Sequence, residues 1–534
     1  MREADKERVL VEVKSRVMDH VVHLADKDPA YLDNLIHEVI YFEERRLDTH
    51  KSAPGVEEDR VWLGAIRHRF KDASQPEKKR IVADIIGRHA HEVIGHFSEP
   101  VYQLTTSVVP TGLGVILSGL SPLKLVRNFP NLPDLPDVAD NIRIEGEVEQ
   151  LQALDKLGTI VLVPTHSSNL DSLVLGYSIF QMGLPPYTYG AGLNLFSHKM
   201  LGFFMHRLGA YKVDRLKQHS LYKEVLKTYA TITLEEGYDN LFFPGGTRSR
   251  SGAIERKLKM GLLGCGLSAY YHNLVNGKQN PKVFIVPATL NYQLVLEAEN
   301  LIDDHLKEAG KSRYIIEDDE FSMPTRIYTF MRNLVSLNAH VELRISKALD
   351  PFGNDVDMDG NSRDGHGRVI DIERYLYQDG RLIEDGARDH QYTRELADRI
   401  VEAYYRDNVA FSTHVVAWTI YRMLRAEHPK WDLYRYLRET AMDAAIPMVE
   451  VYRGVEETLY QLKKLAEEDR IRLSEVVRSG DVERVVAIAL KVFGCYHTKP
   501  VLERQGDRIF ARDMNLLYYY RNRLWGYGLP GSED

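Results

Sequence analysis

A histidine followed five positions later by an aspartate, in Thr165-His166-Ser167-Ser168-Asn169-Leu170-Asp171, offers this chain a base and a carboxylate to aim it. An imidazole that gives one ring N–H to a carboxylate keeps its other nitrogen free to take a proton, which is how an oriented general base is built. Farther along, Gly209-Ala-Tyr-Lys-Val-Asp-Arg215 and Phe243-Pro-Gly-Gly246-Thr247-Arg248-Ser249-Arg250 supply guanidinium groups, which grip phosphate through paired hydrogen bonds. The glycine pair of the second segment lets backbone N–H groups approach an anion. Val286-Pro287-Ala288-Thr289 closes the series. These parts suit a reaction in which a hydroxyl gives up its proton while a phosphate on the same molecule is held.

Spacing alone is a poor signal, because His23 with Asp28 and His366 with Asp371 repeat it. Position separates the third copy. His166 follows the apolar run Thr159–Val163, where an α/β fold presents residues at the carboxyl end of its sheet. On one ideal helix the two side chains would stand roughly 140° apart, so His166 must lie in a loop. A helix starting near Ser168 or Asn169 would put Asp171 in its first turn, facing back to the imidazole. The structural alternative is a histidine that caps a turn. The arginine segments also read as a solvated loop, and Lys259 reads as decoration of a helix face rather than as added charge at the site.

The elements that must carry these residues change along the chain. Residues 1 to about 95 have apolar positions at helical spacing, as in Val9, Leu10, Val13, Val17, Val21 and Leu24. Pro100–Leu123 holds no charged residue, and its apolar centre is shorter than the about 20 residues a spanning helix needs, so it reads as a membrane-surface or buried segment. The prolines of Asn128–Asp137 favour an extended linker. Beyond them Thr159–Val163, Asn240–Phe243, Lys282–Val286 and His340–Ile345 are short apolar runs between helical segments. That alternation predicts an α/β fold with a mostly parallel sheet flanked by helices, and with N- and C-terminal helical regions. The expected division is 1–138, 139–350 and 351–534, the last a loop followed by helices from about 390. Pro287 places its strand at an end or edge of the sheet. No internal repeat is evident.

At 534 residues with 44% hydrophobic content the chain has material for two or three cores. A net charge of -8 argues against nucleic acid as a partner. Cys265 and Cys495 make no disulfide framework or metal-ligand pair, and the charged start Met1-Arg-Glu-Ala-Asp-Lys-Glu-Arg8 does not lead a secretory signal, so a reducing interior is expected.

In this order and spacing, the four segments resemble the blocks of the glycerolipid acyltransferase superfamily, most of all its glycerol-3-phosphate acyltransferases, over about residues 140 to 420. The resemblance implies that His166 deprotonates the sn-1 hydroxyl of glycerol 3-phosphate for attack on an acyl thioester, with Asp171 steadying the imidazolium. It implies acyl-CoA or acyl carrier protein as donor, with no cofactor, metal or covalent acyl-enzyme. Phosphate contacts carry over to Arg215 and Arg248, with Gly246, Thr247, Ser249 and Arg250 beside them and Pro287 as the proline of the fourth block. It implies peripheral or monotopic work on the cytoplasmic side of the cell membrane. The strand around Pro287 would be either a surface for substrate or plain core.

Two positions depart from the pattern. Gly245 stands where the third block commonly has glutamate, and Asp214 where the second often has arginine. Those departures leave lysophosphatidate or dihydroxyacetone phosphate as alternative acceptors. An inactive lipid-binding or scaffolding relative is the alternative of another class. Asp355–His366 imitates a calcium loop, yet His366 stands where a bidentate glutamate is required. His89, His91 and His96 lack metal-ligand spacing and read as scattered along a helix face.

Overall fold

The computed structural model describes residues 3–51, 55–102, 142–192, 207–309, 341–439 and 445–531. Most of the uncharged segment, residues 103–123, and the Asn128–Asp137 linker lie outside these. At its centre is a seven-stranded sheet of β1 (Ile142–Gly146), β2 (Thr159–Pro164), β3 (Thr188–Gly192), β4 (Ala210–Val213), β5 (Asn240–Leu241), β6 (Val283–Tyr292) and β7 (Val341–Ile345), in the order β1-β7-β6-β2-β5-β3-β4. All neighbours run parallel except β6 and β7. Every residue of β2 and β6 is buried, as expected for strands covered on both faces. The predicted α/β class is therefore the one observed. The short strands β1, β3 and β4 give no continuous apolar run and went unread in the sequence.

Pro287 corrects an expectation. It sits inside β6, a central strand, opposite Val163 of β2. The strand tolerates it because the ladder on its other side breaks there. Beyond Ile345, Ser346 donates its N–H to the Pro287 carbonyl, and pairing resumes only where Leu349 and Ile285 exchange hydrogen bonds. The N–H that proline lacks falls in that break.

Four helices, α1 (Glu3–Lys27), α2 (Tyr31–Thr49), α3 (Val56–Phe70) and α4 (Gln75–Val93), form the N-terminal layer. Val9, Leu10, Val13, Val17 and Val21 are buried there, together with Leu221, Tyr222, Val225 and Tyr229 of the helix Ser220–Glu235 that flanks the sheet. His89 is buried in this layer beside Glu92, at 2.9 Å, rather than strung along a face. On the other side a single apolar core runs from Ile142 through the sheet to Leu529. The helices Gly386–Asp407, Ser412–Glu427, Met448–Glu467 and Val482–Phe493 contribute to it, joined by a small sheet of Ala445–Pro447, Leu502–Gln505 and Arg508–Ala511.

The segment after Asp350 corrects one reading, the absence of a repeat. Asp350, Asp357 and Asp364 each open the same turn. Each aspartate carbonyl accepts an N–H from Gly353, Gly360 or Gly367, and those glycines have φ of 89°, 71° and 77°. Each carboxylate accepts two further backbone N–H groups, from Phe352 and Asn354, Asp359 and Asn361, and His366 and Arg368. A turn closed by a left-handed glycine joins antiparallel pairs, and here three such hairpins follow one another. Within the imitated loop Asp357 and Asp364 serve those turns, while Asp355 accepts from Arg399 at 2.9 Å.

One glycine ties the arginine-bearing loop to the C-terminal helices. Gly252 has φ of 80°, and a Cβ there would stand 2.3 Å from the Tyr519 carbonyl oxygen. Gly277, with φ of 61°, has open space around it. Gly277→Ala is expected to cost about 1–2 kcal/mol, the left-handed strain alone. Gly252→Ala should cost more, because backbone must also move. Denaturant midpoints of the two variants test that order.

Candidate active site

The residues after β2, β4, β5 and β6 meet on one rim of the sheet, the carboxyl end of those parallel strands. Pairing continues one residue past β2, where Thr165 donates its N–H to Ala288, and His166 then leaves the sheet. The following helix begins at Asp171, slightly later than predicted, with Asp171 as its first residue. Its Oδ2 accepts from His166 Nδ1 at 2.8 Å, from Ser167 N at 2.6 Å and from Ser168 N at 3.0 Å. Tyr292, the last residue of β6, donates its hydroxyl to Oδ1. Asp171 is fully buried, so these donors and the helix N-terminus replace the water it has lost.

Because a carboxylate only accepts, the Asp171 bond leaves the Nδ1 proton on the imidazole and Nε2 as the basic atom. Among the described residues Nε2 has no hydrogen-bond partner. The ring lies flat on Phe243, with centroids 3.9 Å apart and planes 11° from parallel. Burial is the main reason the His166 pKa lies below its ordinary 6.5; Asp171 pulls it up, and the Arg248 and Arg215 guanidinium groups push it down. The imidazole is thus held neutral and ready to accept a proton, with two cations near enough to oppose its charging.

One of the cations is steered by a buried acid. Arg248 reaches Glu297 at 3.5 Å. Glu297, fully buried, also accepts from Ser168 Oγ at 2.8 Å and from Asn169 N at 2.9 Å, so one carboxylate ties the His166 loop to the arginine loop. Arg215 is exposed, and its guanidinium lies over Gly192 at the end of β3. The turn carrying Arg215 is fixed on both sides: Asp214 Oδ1 accepts the Leu216 N–H at 2.9 Å, and Lys217 reaches Glu92 of α4 at 2.5 Å. Asp214 therefore serves its own turn.

Of the other expected contacts, Thr247 and Arg250 lie in the loop between β5 and its next helix, Thr247 exposed and Arg250 partly so. Ser249 is committed to structure, giving its N–H to the His166 carbonyl at 2.8 Å and its hydroxyl to Ala253 at 2.6 Å. Gly246 has φ of 80° and packs against the stem of Lys259, which is exposed at the start of the next helix. Pro287 is buried within β6 opposite Val163, one residue short of the end of β2, and its strand is core. His23 and His366, the other two copies of the spacing, are exposed. Sequence reasoning missed Glu297, Tyr292 and Glu255 and gave Phe243, the first residue of the arginine segment, no role; the carboxyl end of the long β6 run pointed toward the first two.

Residues 145–291, which carry His166, Arg215 and Arg248, match the family model described as Acyltransferase. More particularly, the chain is similar to the glycerol-3-phosphate acyltransferase of Pseudomonas putida (strain W619), 30% identical over 182 residues, which are 34% of this chain and 21% of that protein. It is also similar to that of Pseudomonas paraeruginosa (strain DSM 24068 / PA7), 29% identical over 232 residues, 43% of this chain and 24% of that protein. The match thus spans under a quarter of those relatives' length. Among the described residues, no helix is long and apolar enough to cross a membrane, and no group of three or more His, Cys, Asp or Glu could hold a metal ion.

The opposing influences on His166 give a signed test. Its titration, followed by NMR of the imidazole, should fall below 6.5 in the intact protein. Asp171→Asn removes a stabiliser of the imidazolium and should move it lower. Arg248→Gln removes an opposing charge and should move it higher.

Proposed function

We propose that this chain is a glycerol-3-phosphate 1-O-acyltransferase. The observation that carries the reading is an imidazole committed through Nδ1 to Asp171 at 2.8 Å, on the same sheet rim as Arg215 and Arg248. His166 Nε2 takes the proton from the sn-1 hydroxyl as its oxygen attacks the acyl carbonyl. The carbon–oxygen bond forms, the carbon–sulfur bond breaks, and the imidazolium returns its proton to the departing thiolate. Asp171 stabilises the imidazolium during the interval. Arg215 and Arg248, with Arg250, hold the phosphate so that the hydroxyl on the same molecule meets Nε2, which turns binding energy into orientation. The donor is acyl-CoA or acyl carrier protein, and the product, a lipid, calls for work at a membrane surface.

The acceptor is the finer part of this reading. Asp214 turns into its own loop, so it gives no reason to expect a different phosphate partner. Purified protein given a long-chain acyl thioester and glycerol 3-phosphate should release free thiol. His166→Ala should lower that rate by roughly 10²- to 10⁴-fold, the usual worth of an oriented base. Arg248→Ala should raise KM for the phosphorylated acceptor more than it lowers kcat. Turnover with lysophosphatidate or dihydroxyacetone phosphate alone would replace the acceptor, and no turnover with any of them would favour an inactive lipid-binding relative.

A further inference from the structure

One carboxylate at the site has no part in the proton transfer. Glu255 Oε1 accepts the backbone N–H of His166 at 2.8 Å, while the His166 carbonyl accepts from Ser249 at 2.8 Å. The loop after β5 thus grips both backbone groups of the residue whose ring must not drift. Glu255 Oε2 is shut off from solvent and makes no hydrogen bond among the described residues, although the residue as a whole is partly exposed. Burial raises the carboxyl pKa to about 7; the His166 N–H and Arg523 pull against that rise, and Asp171 adds to it. An acid kept in so unfavourable a setting needs a compensating use.

The space around it has a second owner. A Cβ on Gly245 would stand 3.0 Å from Glu255 Cγ and 3.2 Å from Oε1. Gly245 does not have a positive φ, so its backbone accepts any L side chain. A glutamate at 245 is long enough to set a carboxylate oxygen where Glu255 Oε1 now lies, but the two side chains cannot both fit.

We propose that Glu255 is a positioning residue, fixing the His166 backbone so that its ring stays on Phe243 and Asp171, and that this carboxylate can be supplied equally from position 245. The proposal rests on the acyltransferase reading of the same site. It is tested by a cycle of Glu255→Ala, Gly245→Glu and the double variant, with Glu255→Gln as the conservative control. Thiol release gives kcat and KM, and NMR gives the His166 titration.

Glu255→Ala should lower kcat about 10- to 100-fold, the scale of a small misplacement, with KM for the thioester little changed. Its His166 titration should move up toward the ordinary value as the ring gains water. Gly245→Glu alone should also be impaired, by crowding. Glu255→Gln, whose amide oxygen still accepts the N–H, should stay within a few-fold of the parent. The double variant should recover most of the kcat and the depressed titration. Parental kcat and titration in Glu255→Ala would overturn the positioning role. A double variant as poor as the two single losses multiplied would overturn the shared space. If the parent releases no thiol from any donor, the acyltransferase reading fails, and the four titrations still decide the positioning claim.

Discussion

The site is organised around the buried Asp171 carboxylate. Removing a charged group from water costs several kcal/mol unless its lone pairs are filled, and here four donors fill them. His166 and the backbone of Ser167 and Ser168 donate to one oxygen, and Tyr292 donates to the other. The first three belong to the loop after β2 and the fourth ends β6, so the demand of one anion for partners locks adjacent strand ends together. A second buried carboxylate, Glu297, extends the arrangement to Arg248. The imidazole is aimed as a by-product of satisfying these acids.

The rim is held from the C-terminal side as well. Tyr404 donates its hydroxyl to the Val163 carbonyl at 2.8 Å, just before the His166 loop. Arg523 donates to the Leu290 carbonyl at 2.9 Å and to Asn291 at 3.1 Å, inside β6. Asn522 donates to the Ser251 carbonyl at 2.9 Å, in the arginine loop. Residues remote in sequence from the matched segment thus set the backbone from which His166, Tyr292 and Arg248 project.

How much could be read beforehand follows from the range of each signal. The strands carrying His166, Arg248 and Tyr292 were legible because they are buried on both faces and read as uninterrupted apolar runs. The His166–Asp171 pair was legible because both partners lie in one short loop. The start of the helix at Asp171 was not, since the Ser168 hydroxyl accepts the Leu170 N–H at 3.2 Å and donates to Glu297 in a turn that precedes the helix. The placement of Pro287 inside a central strand was not legible, because it depends on a break in the neighbouring ladder that a distant segment makes. Glu255 and Glu297 were invisible because their partners lie on other segments, and no local pattern marks a carboxylate that folds back onto a distant backbone N–H. The aspartate turns were hidden by unlike residues between shared Asp and Gly positions.

Those turns have a consequence for how the chain reaches its later helices. Each of Asp350, Asp357 and Asp364 meets its hydrogen-bonding needs within its own hairpin, and the hairpins hang in sequence from Ile285 through Leu349. The stretch consequently carries a local code for its turns, while Leu349, Phe352 and Val356 anchor it in the main core. It behaves as a jointed bracket of set reach, delivering the helix Gly386–Asp407, and with it Tyr404, to the underside of the strand that bears the imidazole.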